Sequence, residues 1–284
     1  SANCIVDGGG SGDVITLNAD GITIEGFTVR DSSYGAGINV ASNANKIAYN
    51  SITNNWAGIE LGHSSNNTIY NNTVNSNNYY GIYLGSSSNN TLTGNMMSGN
   101  RYNFGLYGYY LSHYIQSIDT SNLVDGKPIY YWVDQQNREI PGDAGFVGVV
   151  NCTNITVKDL TLENNSHGVL LFSTNDSRIK RVNASNNRDG ISLYSSSNNK
   201  IYNNTVNSNN YGGISLGSSS NNKIYNNTVS NNYGGIGLWD SSSNNIYLNN
   251  FIDNPTPLPT PTPVVDRNTI NIWNSTEKIT YTYN

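Results

Sequence analysis

The sequence predicts an all-β protein, a right-handed single-stranded parallel β-helix (solenoid) in which each coil of 22 to 24 residues contains three short strands. Three observations predict this fold. The dodecamer SSSNNKIYNNTV occupies residues 195–206 and returns unchanged at 218–229, apolar residues recur with nearly the same period, and no segment has the helical period of about 3.6 residues. Fixed Ile and Val positions in the repeat argue against low-complexity disorder.

Three groups of apolar residues mark the three strands of each coil. The first group, in NKIY-like segments, is Ile24, Ile47, Ile69, Leu92, Ile155, Ile179, Ile201, Ile224 and Ile246. The second follows five residues later and is Val29, Ile52, Val74, Met97, Leu160, Val206, Val229 and Phe251, with Ala184 as a small exception. The third is Ile38/Val40, Ile59/Leu61, Ile82/Leu84, Phe104/Leu106, Val169/Leu171, Ile191/Leu193, Ile214/Leu216 and Ile236/Leu238. Each strand is expected to pair in parallel with its copy one coil later.

One coil cannot fold alone, because backbone ordering costs roughly 1–2 kcal/mol per residue and each buried aliphatic side chain returns only roughly 1.5–3 kcal/mol. Stacking adds ladder hydrogen bonds and a continuous apolar column. Asparagine tolerates left-handed turns and forms amide ladders. Asn71, Asn203 and Asn226 are therefore expected to form partial inward columns, where these glycosylation sequons would carry no glycan.

The repeat breaks twice. Between Leu92 and Ile155, turn signals at Asp125-Gly126 and Pro141-Gly142 bracket a Tyr/Trp/Val run, which predicts a protruding hairpin at about residues 125–146. The proline-rich segment 254–263 predicts an extended loop. Strand character then resumes and stops without a cap, so we expect either that the natural protein continues beyond this point or that the open strand end pairs with another chain. Residues 1–284 are predicted to form a single domain.

Charge and composition exclude several classes of function. Charged residues are 12% of the chain, the formal net charge is −5, and no basic face for a phosphate backbone is expected, so nucleic acid is not a predicted partner. No apolar run approaches the roughly 18 residues of a membrane helix, and the first residues are typical of a mature or trimmed N-terminus. Cys4 and Cys152 are expected to be lone buried thiols.

The repeats NNTIYNNTV and NNKIYNNTV, and above all the segment NLVDGKPIYYWVDQQNREIPGDAGFVGVVNCTNITV at 122–157, resemble the parallel β-helix repeats of NosD-like proteins and of the carbohydrate-binding and sugar hydrolysis domain. That group is abundant in surface proteins of methanogenic archaea. The resemblance covers nearly the whole chain and implies a right-handed β-helix, export, and residence at the cell surface or in the periplasm. It leaves the function open, since this fold hosts several chemistries.

Two aspartates are the candidates for a catalytic role. If Ile115 marks its coil, Asp119 and Asp159 each lie four residues after a mark, on successive layers, with carboxylates about 5 Å apart as in a retaining glycosidase or a calcium site. The motifs SHG at 166–168 and RIK at 178–180 resemble two motifs of polygalacturonases, but the regular repeat explains both.

No cofactor is predicted. The name of the NosD group points to copper, which needs clustered soft ligands or imidazoles. His63, His113 and His167 occupy different positions in the coil, and Met96 and Met97 are adjacent in sequence, so no metal site is predicted.

Aromatic residues are the candidates for sugar binding. Trp56 and Tyr79 lie three residues before a third-group mark on consecutive coils, as do Tyr211 and Tyr233. Flat rings on an amide-rich face suit stacking on sugars, although the pattern favours the alternative that like rings simply pack on one another along the ladder. Another column, facing outward, is Tyr202, Tyr225 and Tyr247.

These observations predict a non-catalytic, secreted β-helix that serves as a structural or adhesive module at the cell surface, binds polysaccharide, and assembles end to end. The alternative is a polysaccharide-degrading enzyme that uses carboxylates near the hairpin.

Overall fold

The computed structural model describes residues 4–254 and the backbone of residues 272–273. The chain divides into two compact units, residues 1–131 with 164–166 and residues 132–163 with 167–284. Each unit is a stack of short strands, nearly all parallel, as predicted for a β-solenoid. The handedness of the coil and the assignment of residues 1–284 to one domain stay predictions.

Within its described residues, the first unit contains fifteen strands and one short 3-10 helix. They are β1 (Cys4–Asp7), β2 (Ile15–Leu17), β3 (Thr23–Glu25), β4 (Phe27–Val40), β5 (Lys46–Ala48), β6 (Ser51–Gly62), β7 (Thr68–Tyr70), β8 (Thr73–Asn75), β9 (Tyr80–Gly85), β10 (Thr91–Thr93), β11 (Met96–Ser98), β12 (Tyr102–Tyr107), η1 (Leu111–Tyr114), β13 (Ser117–Ile118), β14 (Leu123–Val124) and β15 (Lys127–Val133), whose last two residues belong to the second unit.

The second unit contains the remaining strands of the described chain. They are β16 (Gln136–Glu139), β17 (Phe146–Val150), β18 (Thr153–Lys158), β19 (Thr161–Glu163), β20 (His167–Phe172), β21 (Arg178–Lys180), β22 (Asn183–Ser185), β23 (Asp189–Tyr194), β24 (Lys200–Tyr202), β25 (Thr205–Asn207), β26 (Gly212–Gly217), β27 (Lys223–Tyr225), β28 (Thr228–Ser230), β29 (Gly234–Trp239), β30 (Asn245–Tyr247), β31 (Asn250–Ile252) and β32 (Ile272–Trp273).

The register of the strands confirms most of the predicted marks. In the first unit Ile47 pairs with Ile69, which pairs with Leu92. In the second unit Ile201 pairs with Ile224, which pairs with Ile246. All of these side chains are at most 3% exposed, so identical aliphatic groups stack from coil to coil and form the core.

Two predicted marks are wrong because two strands, β18 and β19, pair two residues later than expected. Val157, not Ile155, pairs with Ile179, and Leu162, not Leu160, pairs with Ala184. Ile155 is still buried, since it faces inward two residues earlier on the same strand, β18, which is longer than its neighbours. Because Ile155 and Val157 lie on the same face of the strand, a displacement by two residues keeps an apolar side chain inward, and the sequence alone does not determine the register.

The region of the predicted hairpin at 125–146 contains a tighter reversal. Leu123 pairs in antiparallel fashion with Pro128, and Val124 with Lys127, around a two-residue turn at Asp125 and Gly126. Both turn residues have positive φ, 47° and 79°, which is typical of a type I′ turn. The rest of the predicted hairpin does not form, because the next strand, β16, pairs in parallel with β18 instead of running antiparallel to β15.

Inward asparagines form hydrogen-bonded ladders at the turns, one residue later than predicted. Asn71 is exposed at φ 52°, and Asn72 is buried instead. The same holds for the pairs Asn203/Asn204 and Asn226/Asn227. The left-handed residue reverses the alternation of side chains, so the next asparagine points into the coil. The sequon asparagines therefore face outward, contrary to the prediction.

Three further expectations concern the chain ends and the cysteines. Cys4 and Cys152 are free thiols, but Cys4 is exposed rather than buried, and among the described strands β1 pairs with β4 alone. Apart from Asn254, the predicted proline-rich loop at 254–263 lies outside the described residues, as does the chain end expected to pair with a neighbour.

Candidate functional site

Two stacked aromatic rings lie on the first unit, three residues before the marks Ile59 and Ile82. The ring centroids of Trp56 and Tyr79 are 5.0 Å apart, and the ring planes differ by 9°. The Tyr79 N–H donates to the Trp56 carbonyl at 2.8 Å, so the ladder itself aligns the rings. One coil further, the guanidinium of Arg101 lies 5.6 Å from the centre of the Tyr79 ring. Trp56 at the other end of this stack is 42% exposed.

The second unit repeats this arrangement at the same coil position. The rings of Tyr211 and Tyr233 are 6.3 Å apart with planes that differ by 10°. The guanidinium of Arg188 lies 5.1 Å from the Tyr211 ring, and the Tyr211 N–H donates to the Arg188 carbonyl at 2.7 Å. Tyr233 is 42% exposed. We call each group of two rings and one arginine an aromatic–arginine column.

Sequence reasoning found the four aromatic residues but did not place Arg101 and Arg188 in the same columns. A signal was present, because Arg101 precedes the mark Phe104 by three residues and Arg188 precedes Ile191 by three. Reading every residue three positions before a third-group mark, whether aromatic or not, identifies both arginines. Their guanidinium groups add hydrogen-bond donors to the apolar rings, which is the combination that small polar ligands require.

Asp119 is exposed and occupied by its own turn. Its carboxylate accepts hydrogen bonds from the Ser121 N–H at 3.0 Å, from the Ser121 hydroxyl and from the Asn122 side chain at 3.3 Å. The mark of its coil is Ile118, which pairs with Leu92, and not Ile115. The extra length lies in η1, which sequence periodicity did not reveal.

Asp159 forms a bidentate ion pair. Its two carboxylate oxygens accept from the Arg181 guanidinium at 2.6 and 2.9 Å. This contact, more than any other, holds the pKa of the Asp159 carboxyl below its usual range. The residue follows the corrected mark Val157 by two positions, whereas Asp119 follows Ile118 by one, so the equal spacing that predicted a carboxylate pair does not hold.

A buried carboxyl group that sequence reasoning missed is Asp189. It is 3% exposed, pairs in the ladder with His167, and accepts from the Gly212 N–H at 3.1 Å. The Arg188 Nη1 lies 3.5 Å from the Asp189 Oδ2. Burial raises the pKa of Asp189 to about 6, against the smaller opposing effects of Arg188 and the Gly212 N–H. His167 is also buried, and its Nδ1 lies 3.0 Å from the Ser192 hydroxyl.

The raised pKa of Asp189 predicts a specific pH dependence of stability. Folded Asp189 keeps its proton up to about pH 6, whereas the unfolded carboxyl loses it near pH 3.8. Its contribution is therefore present in acid and is lost as the pH rises through this window, by about 3 kcal/mol at most. Asp189→Asn should raise the free energy of unfolding relative to the natural protein at pH 7 but not at pH 4, measured by urea denaturation.

The control for this measurement is Asp240→Asn, which changes an exposed turn aspartate of the same unit. It should leave the difference between pH 4 and pH 7 unchanged. Equal stabilities of Asp189→Asn and the natural protein at both pH values would contradict the assignment.

The donor groups of the described residues do not fit a copper site. No group of three or more His, Cys, Asp or Glu side chains gathers within residues 4–254. The sulfur of buried Cys152 lies 3.1 Å from the Val150 carbonyl and accepts from the Gln135 N–H, while Met97 is buried and Met96 is 50% exposed. Soft donors that are dispersed in this way cannot surround one ion. No helix in the described part of the chain is long and apolar enough to cross a membrane.

The fold and the columns define a class, a parallel β-solenoid that presents aromatic and cationic side chains at one repeated coil position. A family model described as "Periplasmic copper-binding protein (NosD)" matches residues 2–140 and 129–284. The chain therefore belongs to the NosD family, as its repeats indicated. A search of curated proteins found no match.

Several solved structures are similar at low identity. The A-module of the Azotobacter vinelandii mannuronan C-5 epimerase has 14% identity and a TM-score of 0.41, over 92% of this chain and 81% of that one. A mutant of the periplasmic alginate epimerase AlgG has 15% identity and a TM-score of 0.40, over 80% of this chain and 55% of its own. The alginate lyase of a Paenibacillus species has 12% identity and a TM-score of 0.32, over 83% and 97%. No conclusion about the activity of this chain follows from these values.

Proposed function

We propose that this chain is a non-catalytic, extracellular β-solenoid that serves as a structural or adhesive module and binds polysaccharide through its aromatic–arginine columns. The observation that carries the proposal is the repetition of the column in both units. Trp56, Tyr79 and Arg101 in one unit and Arg188, Tyr211 and Tyr233 in the other all lie three residues before a third-group mark, with the arginine at the opposite end of the column in the two units.

The geometry suits sugar rings. An exposed aromatic ring offers a flat apolar surface for the C–H groups of a pyranose, and a neighbouring arginine donates hydrogen bonds to its hydroxyl groups. Outward Asn and Ser side chains at the turns supply further donors and acceptors. Like rings also pack on one another for stability alone, but that role does not require 42% of Trp56 to stay exposed.

An extracellular or periplasmic location fits three features. The family description names a periplasmic protein, charged residues are only 12% of the chain, and outward sequon asparagines such as Asn71 and Asn203 stand at exposed turns. Attachment at the cell surface and end-to-end assembly belong to the proposal. Light scattering over a range of concentrations tests assembly, and a strictly monodisperse monomer at high concentration would contradict it.

Loss of an exposed ring should weaken binding without unfolding the protein. We expect Trp56→Ala and Tyr233→Ala each to weaken polysaccharide binding about fivefold to tenfold, and the double change to weaken it further, because each removes about 1 kcal/mol of stacking. Affinity gel electrophoresis against a panel of neutral and acidic polysaccharides measures the change.

Tyr34→Ala is the matched control, since Tyr34 is 83% exposed and lies outside both columns. It should bind as the natural protein does. Equal binding by the double variant and the Tyr34→Ala variant would refute the columns as the binding site, and retention of no polysaccharide by the natural protein would refute the proposed function.

A second candidate function is polysaccharide cleavage. Asp189 is a better candidate for its catalytic carboxyl group than Asp119 or Asp159. Burial raises the pKa of Asp189 to about 6, and Asp189 is adjacent to Arg188, which contacts the Tyr211 ring, but only 3% of Asp189 is exposed, so a substrate would have to reach the carboxyl at the edge of the column. Reducing-end release and absorbance at 235 nm detect hydrolysis and elimination respectively. Activity that Asp189→Asn abolishes would establish this candidate, and its absence across a glycan panel would eliminate it.

A further inference from the structure

We propose that a second surface of the second unit, distinct from the aromatic–arginine columns, binds an acidic polysaccharide through a regular array of cationic and phenolic donors. This surface, called the lysine–tyrosine face, is formed by the outward side chains of strands β21, β24, β27 and β30. It consists of one column of Arg178, Lys200 and Lys223 and a second column of Lys180, Tyr202, Tyr225 and Tyr247.

The strand register places these side chains directly above one another. Arg178 pairs with Lys200, which pairs with Lys223, so the cations follow one another at the strand spacing of about 4.8 Å. Tyr202 and Tyr225 are aligned in the same way on the other side of the buried marks. The ladder thus fixes the spacing of the donors before any ligand arrives.

The cations of this face are largely uncompensated. Among the described residues, Arg178, Lys180, Lys200 and Lys223 form no ion pair, and Lys200 and Lys223 are exposed. Arg178 donates only to the Asn154 side chain, at 3.2 Å. Like charges placed directly opposite one another repel and destabilise the ladder. A bound anion would reduce this repulsion.

The carboxylates beside the face do not neutralise it. Glu139 pairs with Lys158 at 2.9 Å, and Asp159 pairs with Arg181 and also interacts electrostatically with Lys180. Asp176 lies in the turn before β21. These carboxylates leave Lys200 and Lys223 without an ion pair among the described residues. The chain as a whole has a net charge of −5, so this local excess of positive charge is opposite in sign to the rest of the protein.

The tyrosine column offers hydroxyl groups rather than ring faces. Tyr202 and Tyr225 have centroids 5.0 Å apart with planes that differ by 1°, and Tyr225 and Tyr247 are 5.1 Å apart with planes that differ by 6°. Since the ring faces contact each other, a ligand meets ring edges and phenolic O–H donors. Ammonium, guanidinium and phenol are all donors, so both columns suit a ligand with many negatively charged acceptors.

Among polyanions, an acidic polysaccharide fits best. The donors extend along the coil axis over several layers, which matches a polymer with a carboxylate on each sugar better than a single small anion. Single-stranded nucleic acid would need open ring faces for its bases, and neighbouring tyrosines occupy both faces of Tyr225 and one face each of Tyr202 and Tyr247. The shared chemistry is the repeated carboxylate, which lysine and arginine bind by charge-assisted hydrogen bonds.

The test compares Lys200→Gln/Lys223→Gln with the natural protein, using polygalacturonate as the probe in affinity electrophoresis and calorimetry at low salt. We expect the double change to weaken binding at least about tenfold and to reduce the salt dependence of the affinity. Tyr225→Phe, which removes only the hydroxyl, should weaken binding about twofold to fivefold. The matched control, Lys46→Gln/Lys127→Gln, removes the same charge from the first unit and should bind like the natural protein.

Every outcome decides the proposal. Equal binding by the double variant and the control, or no binding of polygalacturonate by the natural protein, would overturn it. Tighter binding of double-stranded DNA than of polygalacturonate would overturn the ligand class. Neutral dextran distinguishes this site from the aromatic–arginine columns of the proposed function. The Trp56→Ala/Tyr233→Ala variant should still bind polygalacturonate through its lysines, even if it no longer binds dextran.

Discussion

Replacing Gly58 with alanine is expected to destabilise the first unit by about 3 kcal/mol. A Cβ at this position would lie 2.2 Å from Cγ1 of Val74 and 2.6 Å from the carbonyl oxygen of Gly81. The carbonyl belongs to the next coil and cannot move without distorting the ladder, so the clash exceeds ordinary overpacking of 1–3 kcal/mol and outweighs the gain of roughly 0.4–1 kcal/mol from a stiffer unfolded chain. Urea denaturation, followed by tryptophan fluorescence, measures the loss.

The same strand offers a matched control. Gly62 lies four residues further along β6, and a Cβ there would meet nothing within 4 Å. Gly62→Ala should be neutral or slightly stabilising. If the free energies of unfolding of Gly58→Ala and Gly62→Ala differ by less than about 0.5 kcal/mol, the close stacking of coils at this position is refuted.

Converting Asn72 to aspartate is expected to cost about 4 kcal/mol or more at pH 7. The Asn72 Nδ2 donates to the carbonyl oxygens of Ile47 and Tyr70 at 2.9 and 3.2 Å and to the Asn95 Oδ1 at 3.0 Å. Aspartate has nearly the same shape but would place a charged oxygen against these three acceptors in a buried site. The loss should shrink in acid, because a protonated carboxyl can donate once.

Asn75→Asp on the half-exposed face of β8 is the control. This change should alter the free energy of unfolding by less than about 0.5 kcal/mol. A similar, small effect of Asn72→Asp would show that the inner asparagines only fill space and that the amide ladders do not stabilise the coils.

The sequence predicted the solenoid because its core repeats are nearly identical. From Ile179 onward each first-strand mark pairs as expected, since 22 or 23 residues separate like positions. Prediction failed around residues 115–160, where coil lengths differ and Asn90 pairs with Gln116 at a separation of 26 residues. Apolar residues alone do not determine how a longer coil is accommodated.

The candidate site was only partly predictable. The aromatic pairs follow from their fixed distance to the marks, but the inward asparagines were placed one residue early because a left-handed turn residue such as Asn71 breaks the alternation of side chains. The burial of Asp189 and the excess of cations at Lys200 and Lys223 depend on which residues of neighbouring coils meet. Composition is an average over the whole chain, so it indicates neither the burial of one aspartate nor a local excess of cations.

The central claim is that successive coils stack in register, since every column described above depends on it. Thr205 and Thr228 are direct ladder partners on the outward face of β25 and β28. With Cys4→Ser as background, Thr205→Cys/Thr228→Cys should form a disulfide on mild oxidation of the native protein, because ladder partners lie about 4.8 Å apart, within the range for a disulfide. Thr205→Cys/Ser230→Cys, displaced by two residues, should remain reduced. Peptide mass spectrometry that finds both pairs linked equally, or neither, would contradict the stacked solenoid and the sites built on it.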